Sequence, residues 1–482
     1  MEDEETLGDA SGGLVPPVVT YIALAALVAL TATMALWKYS AGIYYVTVVA
    51  WLVVAAGLAT TPLFRRMSKL GGLRLTLMVL LAALAIRYVM LFQDAILTND
   101  ILSFVTRGQR YLDGGIPYTD DFHVNKPPAY LLLAAGMGAT VGPSLAGTRA
   151  MMCLVDAVVA VLIFWMGEER FSRSFGLLAG LLYALNPISA VSIGISGHYD
   201  PWVVAFTMGG VWMMLRGWRG WASLLLGMGF ALKLYPTVLL PWVLLEERSW
   251  PKRLLYVGVF ALPMIVSWIP MLAQNPDALS FYLDYQGNWI PKKGIAHGIA
   301  VIAGWDLDSA AAGNAARAVE YVFYGLLAAM FLDWLRRRQR APGEHLLNWF
   351  RVVTGGFYVL YGFILMAGVI EYEVDLGIDP RTFGIVLGVI YFILAGIGLW
   401  WLWTRWLPEE VEFNEADQFI MLAAMSVNLL LLSSAQFNVW YLLWLLPLVL
   451  LVRSWRIRDA WNGLLVWNAE GTGFSIIPGS GL

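Results

Sequence analysis

Charge is scarce in this chain. Asp, Glu, Lys and Arg make up 13% of its 482 residues, against about 25% in a typical soluble domain. A water-facing surface of that size needs more, which excludes a cytosolic enzyme. Cysteine is scarcer still. Cys153 is the single one, so no intrachain disulfide forms and a secreted disulfide scaffold is excluded. The net charge of −3 offers nucleic acid no basic footprint. No Cys/His or paired-His spacing suggests zinc. No Gly-rich loop precedes a Lys-Ser/Thr pair, which argues against ATP as energy source.

Apolar sequence is what the chain has in excess. Hydrophobic residues reach 59%, and mean hydropathy is +0.68. The 23 Trp and 21 Tyr suit a protein with many membrane interfaces, where such rings sit at headgroup level. Crossing a bilayer takes about 20 apolar residues. Runs of that order occur near 15–37, 42–62, 75–93, 149–166, 175–194, 201–215, 254–273, 317–335, 348–369, 382–403, 417–434 and 438–453. The expected fold is therefore an all-α polytopic bundle of about 12 transmembrane helices. The acidic segment Met1 to Gly13 lacks the positive region and cleavage site of a signal peptide, so the first run reads as a retained helix.

Basic residues orient the bundle. Loops holding Arg65–Arg74, Arg170 and Arg173, Arg216 and Arg219, Arg248–Arg253, Arg336–Arg340, Arg405 and Arg453–Arg458 carry most of the Lys and Arg. Assigning them to the cytoplasm puts both termini there. Strict alternation then requires that two apolar stretches do not cross. Residues 127–142, flanked by Pro-Pro and Gly-Pro, read as an interfacial helix. Residues 221–245, interrupted by Lys233 and Pro236, read as a broken half-membrane hairpin. Irregular backbone at membrane depth is tolerated where protein or a watery cavity surrounds it.

With that orientation the unusual polar residues gather on the outer side. Loop 94–126 carries Asn99, Asp100, Arg107, Arg110, Asp120, Asp121, His123 and Lys126. The next turn carries Gly197, His198, Tyr199 and Asp200. Loop 274–316 adds Asp277, Asp284, Lys292, Lys293 and His297; later turns add Glu371, Glu373, Asp375, Asp379, Gln436 and Asn438. Residues Ile101 to Asp113 place Ile101, Phe104 and Val105 at helical spacing, as in a helix lying at an interface. One face is chemically rich, and the other is a set of anchors.

Several of these motifs carry a family resemblance. Asp100 just after an early span, then Gly114-Gly115-Ile116-Pro117-Tyr118 and Lys126-Pro127-Pro128, resemble the first outer loop of GT-C glycosyltransferases. Asn186-Pro187 and Gly197-His198-Tyr199-Asp200 continue that resemblance, and the stretch Gly227 to Pro241 and Gln436-Phe437-Asn438-Val439-Trp440-Tyr441 resemble the mannosyltransferase branch that includes GPI mannosyltransferase I. Thr98-Asn99-Asp100 holds a single acid where some relatives have two, and Asn125 stands where some have an acid. Both departures weigh against a divalent metal, and no cofactor is expected.

The resemblance implies a GT-C-like bundle that transfers a sugar, with mannose the expected one, from a polyprenyl-phosphate donor. Transfer inverts the anomeric carbon, and the acceptor is a glycan or glycolipid at the extracytoplasmic face. Asp100 is the expected base. Lys126, Lys233, Arg107 and Arg110 are the candidate partners of the donor phosphate. His198, Asp200, Tyr235 and Gln436 are the candidate sugar or acceptor ligands. Other roles suit the same residues. Asp100 fits a helix N-cap; Lys126 and Lys233 fit snorkelling side chains. His198 fits a surface turn, and His123, His297, Asp120 and Asp121 fit ordinary loops.

The expected organisation is a tail at 1–14, two additional helices and a basic loop at 15–74, and a catalytic module at 75–300 with its outer loop at 94–148. C-terminal helices follow at 301–453 and a second tail at 454–482. A secondary transporter or flippase is the alternative. Transporters tend to repeat their broken helices in both halves, whereas one broken hairpin is evident here.

Overall fold

The computed structural model describes residues 15–37, 40–93, 99–245, 247–287, 294–337, 342–371, 379–407, 413–434, 441–454, 456–458 and 460–462. Gln436, Lys292, Lys293, Glu373, Asp375, Asn438, the N-terminal tail and most of the C-terminal tail lie outside them. The chain forms two compact units, Met1–Asn288 and Trp289–Leu482. Among the described residues every regular element is helical.

In the first unit, α1 (Pro17–Leu36), α2 (Ala41–Gly57), a short α3 (Pro62–Met67) and α4 (Gly72–Val89) come first. Pro17 opens α1 in its first turn, where its missing N–H costs nothing. Ser40 caps α2 by accepting from the Ile43 N–H. Trp51 of α2 donates its indole N–H to the Leu182 carbonyl at 2.9 Å. This anchors the two N-terminal helices on α8 (Arg173–Ala184).

Four elements carry the polar chemistry. α5 (Asn99–Leu112) and α6 (Pro128–Val141) pack as a pair. A Cβ on Gly108 would lie 2.5 Å from the Ala134 carbonyl oxygen, so only glycine allows that approach. α7 (Leu145–Arg170) lies against α8, and α9 (Asp200–Leu215) follows. The expected interruption in 221–245 is present: α10 (Arg219–Leu232) ends at Lys233, Tyr235–Leu239 forms a 3-10 turn, and α11 (Leu240–Leu245) packs back on α10. α12 (Trp250–Gln274) and α13 (Ala278–Gly287) close the unit.

The second unit contains α14 (Ile295–Ala303), α15 (Ala310–Arg337), α16 (Pro342–Glu371), α17 (Pro380–Trp401), α18 (Glu415–Ser433) and α19 (Leu442–Leu450). α18 starts on a capping box in which Asn414 and Asp417 satisfy each other's backbone N–H.

Among the described residues, ten helices are long and apolar enough to cross a membrane. Two of the twelve expected spans are not among these ten. The run 201–215 forms the 16-residue α9, ~24 Å long at 1.5 Å per residue and short of the ~30 Å hydrocarbon core. The run 438–453 lies partly outside the described residues, which show only the 9-residue α19. The chain is thus an all-α, multi-pass membrane protein with ten candidate spans among its described residues.

Candidate active site

The frame of the site is a buried ion pair that the sequence reading passed over. Arg87 ends α4 and Asp156 sits in α7; both are 0% exposed. The Arg87 guanidinium donates to the Asp156 carboxylate, to the Ala184 carbonyl at 2.8 Å and to Ser189 Oγ at 2.9 Å. Tyr183 donates its hydroxyl to Asp156 Oδ1 at 2.6 Å, and Ser189 donates to Oδ2. The network ties α4, α7 and α8 together. The signal was present: each residue is a charge inside an apolar run, which marks a functional or pairing role.

Beyond α8 the chain turns at Asn186, whose side chain accepts from the Ser189 N–H at 3.1 Å. It then winds as a π-helix over Ala190–Ile195, a form frequent at functional sites. Gly197 has φ +68°, a left-handed conformation that glycine adopts without strain. A Cβ there would also meet Ile101 Cδ1 at 2.7 Å and Arg149 Cγ at 2.9 Å. This turn delivers His198, Tyr199 and Asp200, all buried, to the end of the bundle that carries α5.

Six of the candidate residues meet there. His198 Nδ1 lies 3.8 Å from Asp100 Oδ2, beyond hydrogen-bond distance. Lys233, at the break in the hairpin, donates to Asp200 Oδ1 at 2.7 Å and sits 4.7 Å from the Tyr199 ring centre. Lys126 and Arg107 lie within electrostatic reach of Asp100. Arg107 also donates to Asn125 Oδ1 at 2.8 Å. Phe104, Tyr130 and Tyr199 form an aromatic wall, with Tyr130 edge-on to Tyr199 at 4.9 Å.

Charge states follow from these surroundings. Burial pushes Asp100 up, but His198, Lys126, Lys233 and Arg107 outweigh it and hold the carboxyl below the usual Asp range. Burial pulls Lys126 down, partly offset by Asp100. Burial also takes His198 down to about 4. The Asp100 side chain keeps 49% of its surface accessible while that of His198 keeps 1%. The carboxylate thus opens outward from a closed base.

Lys126 is held through its backbone. Its carbonyl accepts from the Tyr118 hydroxyl at 2.8 Å. Tyr118 is the one non-glycine residue with positive φ, at 59°, among the described residues. Asn275, just past α12, donates to the Tyr118 carbonyl at 2.8 Å and fixes this uncommon conformation.

The remaining candidates fall elsewhere. Tyr235 is buried below the cluster, its hydroxyl 3.0 Å from Thr207 Oγ1. Arg110 is not part of the cluster. Its guanidinium stacks 4.9 Å from the Phe122 ring centre and borders a groove of about 420 Å³ with Leu102, Thr106, Gln109 and Leu145. His123 packs against Phe281, and His297 is buried in α14 of the second unit. Gln436 lies outside the described residues. Among the described residues no group of three or more His, Cys, Asp or Glu is placed to hold a metal ion.

The opposite end of the unit is knit from the basic loops. Glu169 accepts from Arg216 at 2.7 Å and from the Trp212 indole at 2.8 Å. Arg173 pairs with Glu168 at 2.8 Å and Arg219 with Glu247 at 3.3 Å. These contacts join helix ends.

Residues 125–359 match the model of glycosyltransferase family 87. No curated protein matches the chain. The matched stretch contains Lys126, His198, Asp200 and Lys233 and begins after Asp100 and Arg107. The similarity supports sugar transfer as the general function of this membrane protein.

Proposed function

We propose that the chain is an inverting glycosyltransferase that moves a sugar, mannose in this reading, from a polyprenyl-phosphate donor to a lipid-linked or surface glycan at the extracytoplasmic face. The observation that carries this reading is the pairing of a half-exposed carboxylate, Asp100, with an excess of cations around it. Lys126, Lys233 and Arg107 face Asp100 and Asp200. With His198 neutral, three cations against two carboxylates leave one positive charge. A lipid-phosphate sugar is a phosphodiester with one negative charge, so the cluster complements it. A nucleotide diphosphate sugar would bring more charge than the cluster balances.

In the reaction the acceptor hydroxyl oxygen attacks the anomeric carbon. The bond from that carbon to the phosphate oxygen breaks, and its electron pair leaves with the lipid phosphate. Asp100 takes the proton of the hydroxyl. Lys126 and Arg107 balance the charge that grows on the phosphate. Lys233 stays paired with Asp200 and keeps that acid from repelling the donor. The lowered pKa makes Asp100 a weak base. This suffices if the proton moves late, after the new C–O bond has made the hydroxyl strongly acidic.

The test uses membranes supplied with a radiolabelled polyprenyl-phosphate mannose and a glycolipid acceptor. Asp100→Asn is expected to lower transfer by about 10²–10⁴-fold, the usual worth of a general base, while donor binding persists. Transfer at the wild-type rate would remove Asp100 from the chemistry.

A further inference from the structure

We infer that Arg149 is a positioning residue, whose guanidinium grips three backbone carbonyls and so holds the segment bearing Asp100 and the segment bearing His198 and Asp200 at their working separation. For its chemical consequence this rests on the sugar-transfer reading above.

Arg149 lies near the start of α7 and is 4% exposed. Its Nε donates to the Gly194 carbonyl at 2.8 Å, and its Nη2 to the same oxygen at 2.5 Å. Nη2 also donates to the Met90 carbonyl at 3.0 Å, and Nη1 to the Gln93 carbonyl at 3.1 Å. Met90 and Gln93 end the segment that leaves α4 towards Asp100. Gly194 lies in the π-helical turn that leads to His198. Helix ends leave carbonyls without intrahelical donors, and a cation is favoured beside them. One side chain therefore closes two helix ends at once. The contact continues along its stem, because Gly197 is seated between Arg149 Cγ and Ile101 Cδ1, and Ile101 is the neighbour of Asp100. The segment that leads to Asp100 and the turn that leads to His198 and Asp200 thus both meet this residue.

Satisfying the carbonyls requires a planar fork of N–H groups. Lysine offers a point charge with another geometry and cannot reproduce the grip. Arg149→Lys thus keeps the charge and loosens the spacing. Asp100 would then move away from Lys126 and Lys233, which hold its carboxyl low. Its pKa would rise towards the ordinary value.

The full chain in lipid nanodiscs is compared with Arg149→Lys and, as a variant that leaves the guanidinium intact, Gly197→Ala. Hydrogen exchange is expected to rise at the 190–198 amides and to stay unchanged in the body of α8. Per folded molecule, kcat for mannose transfer should fall about 10–100-fold, as a misplacement of about 1 Å does. Donor KM should stay within about threefold, and the acid limb of kcat/KM should move to higher pH. A rise in exchange spread over all of α7 and α8, or an acid limb that stays in place in both variants, would reduce Arg149 to a structural residue and overturn the inference. If the wild-type chain transfers no sugar from any lipid phosphate, the functional reading falls, and the local exchange alone judges the clamp.

Discussion

At Asp100 and His198 burial and charge work against each other, and they settle differently. Asp100 has His198, Lys126, Lys233 and Arg107 within reach, so its anion survives the partial loss of water. For His198 no nearby carboxylate outweighs the burial, although Asp100 and Asp200 both pull its pKa upward and Lys233 and Lys126 push it further down. The imidazole is therefore neutral in the folded protein down to about pH 4. In the unfolded chain it titrates near 6.5. Between those values the unfolded chain takes up a proton that the folded chain refuses. Stability contributed by the neutral histidine is thus complete above about 6.5, falls as the pH drops towards 4, and levels off below that. Thermal unfolding of the purified protein should show this decline, and His198→Asn should flatten it. An equal slope in the variant would mean that His198 is not the buried neutral group described.

Among the elements, the short hairpin sets the depth of the site. α10 starts at the end held by Arg219 and Glu247 and runs ~21 Å before breaking at Lys233. α9 covers nearly the same distance in reverse, from Asp200 to Leu215. The break therefore meets the helix start, and Lys233 reaches Asp200 without a long loop. This depends on α10 lying close to α12. A Cβ on Gly227 would stand 2.2 Å from the Phe260 carbonyl oxygen, which is backbone and cannot swing aside. Gly227→Ala should destabilise by about 1–3 kcal/mol, the usual cost of overpacking, and lower the thermal midpoint. Gly258→Ala on α12, where nothing lies within 4 Å, is the control. Equal midpoints for both variants would contradict the close approach.

The hairpin also shows why some elements were readable in the sequence. A proline and a lysine inside an apolar run cannot continue a lipid-facing helix, so the break at 233–236 is written locally. Long apolar runs read as helices because lipid offers the backbone no other partner. The pairing of Arg87 with Asp156 spans 69 positions and depends on which helices become neighbours. The π-turn at 190–195 presents the Gly194 carbonyl to Arg149 of another helix. Neither is a property of a local window. Residue type and order alone brought Asp100, Lys126, His198 and Asp200 forward as candidates. That Arg110 stands apart from them depends on the face of α5 it occupies.

For the whole molecule, the distribution of charge bears on which side of the membrane the chemistry takes place. Asp100, Lys126 and His198 share one end of the first unit. Glu168, Arg173, Arg216 and Arg219 hold the other, and Gly72 at the start of α4 lies beside Glu168 there. Arg and Lys concentrate on the cytoplasmic side of membrane proteins, so the end holding Asp100 is expected to face outward. The single cysteine makes this measurable. Cys153 is buried, and Cys153→Ala gives a background without thiols. In that background Asp121→Cys, on the exposed part of the loop between α5 and α6, should react with a membrane-impermeant maleimide on intact cells. Arg66→Cys, in α3 beside the basic end, should react only after the cells are opened. The reverse pattern would put Asp100 on the cytosolic side, where a donor lipid would have to be loaded and used on the same leaflet. The extracytoplasmic assignment would then fail, while the cluster and its charge balance would stand.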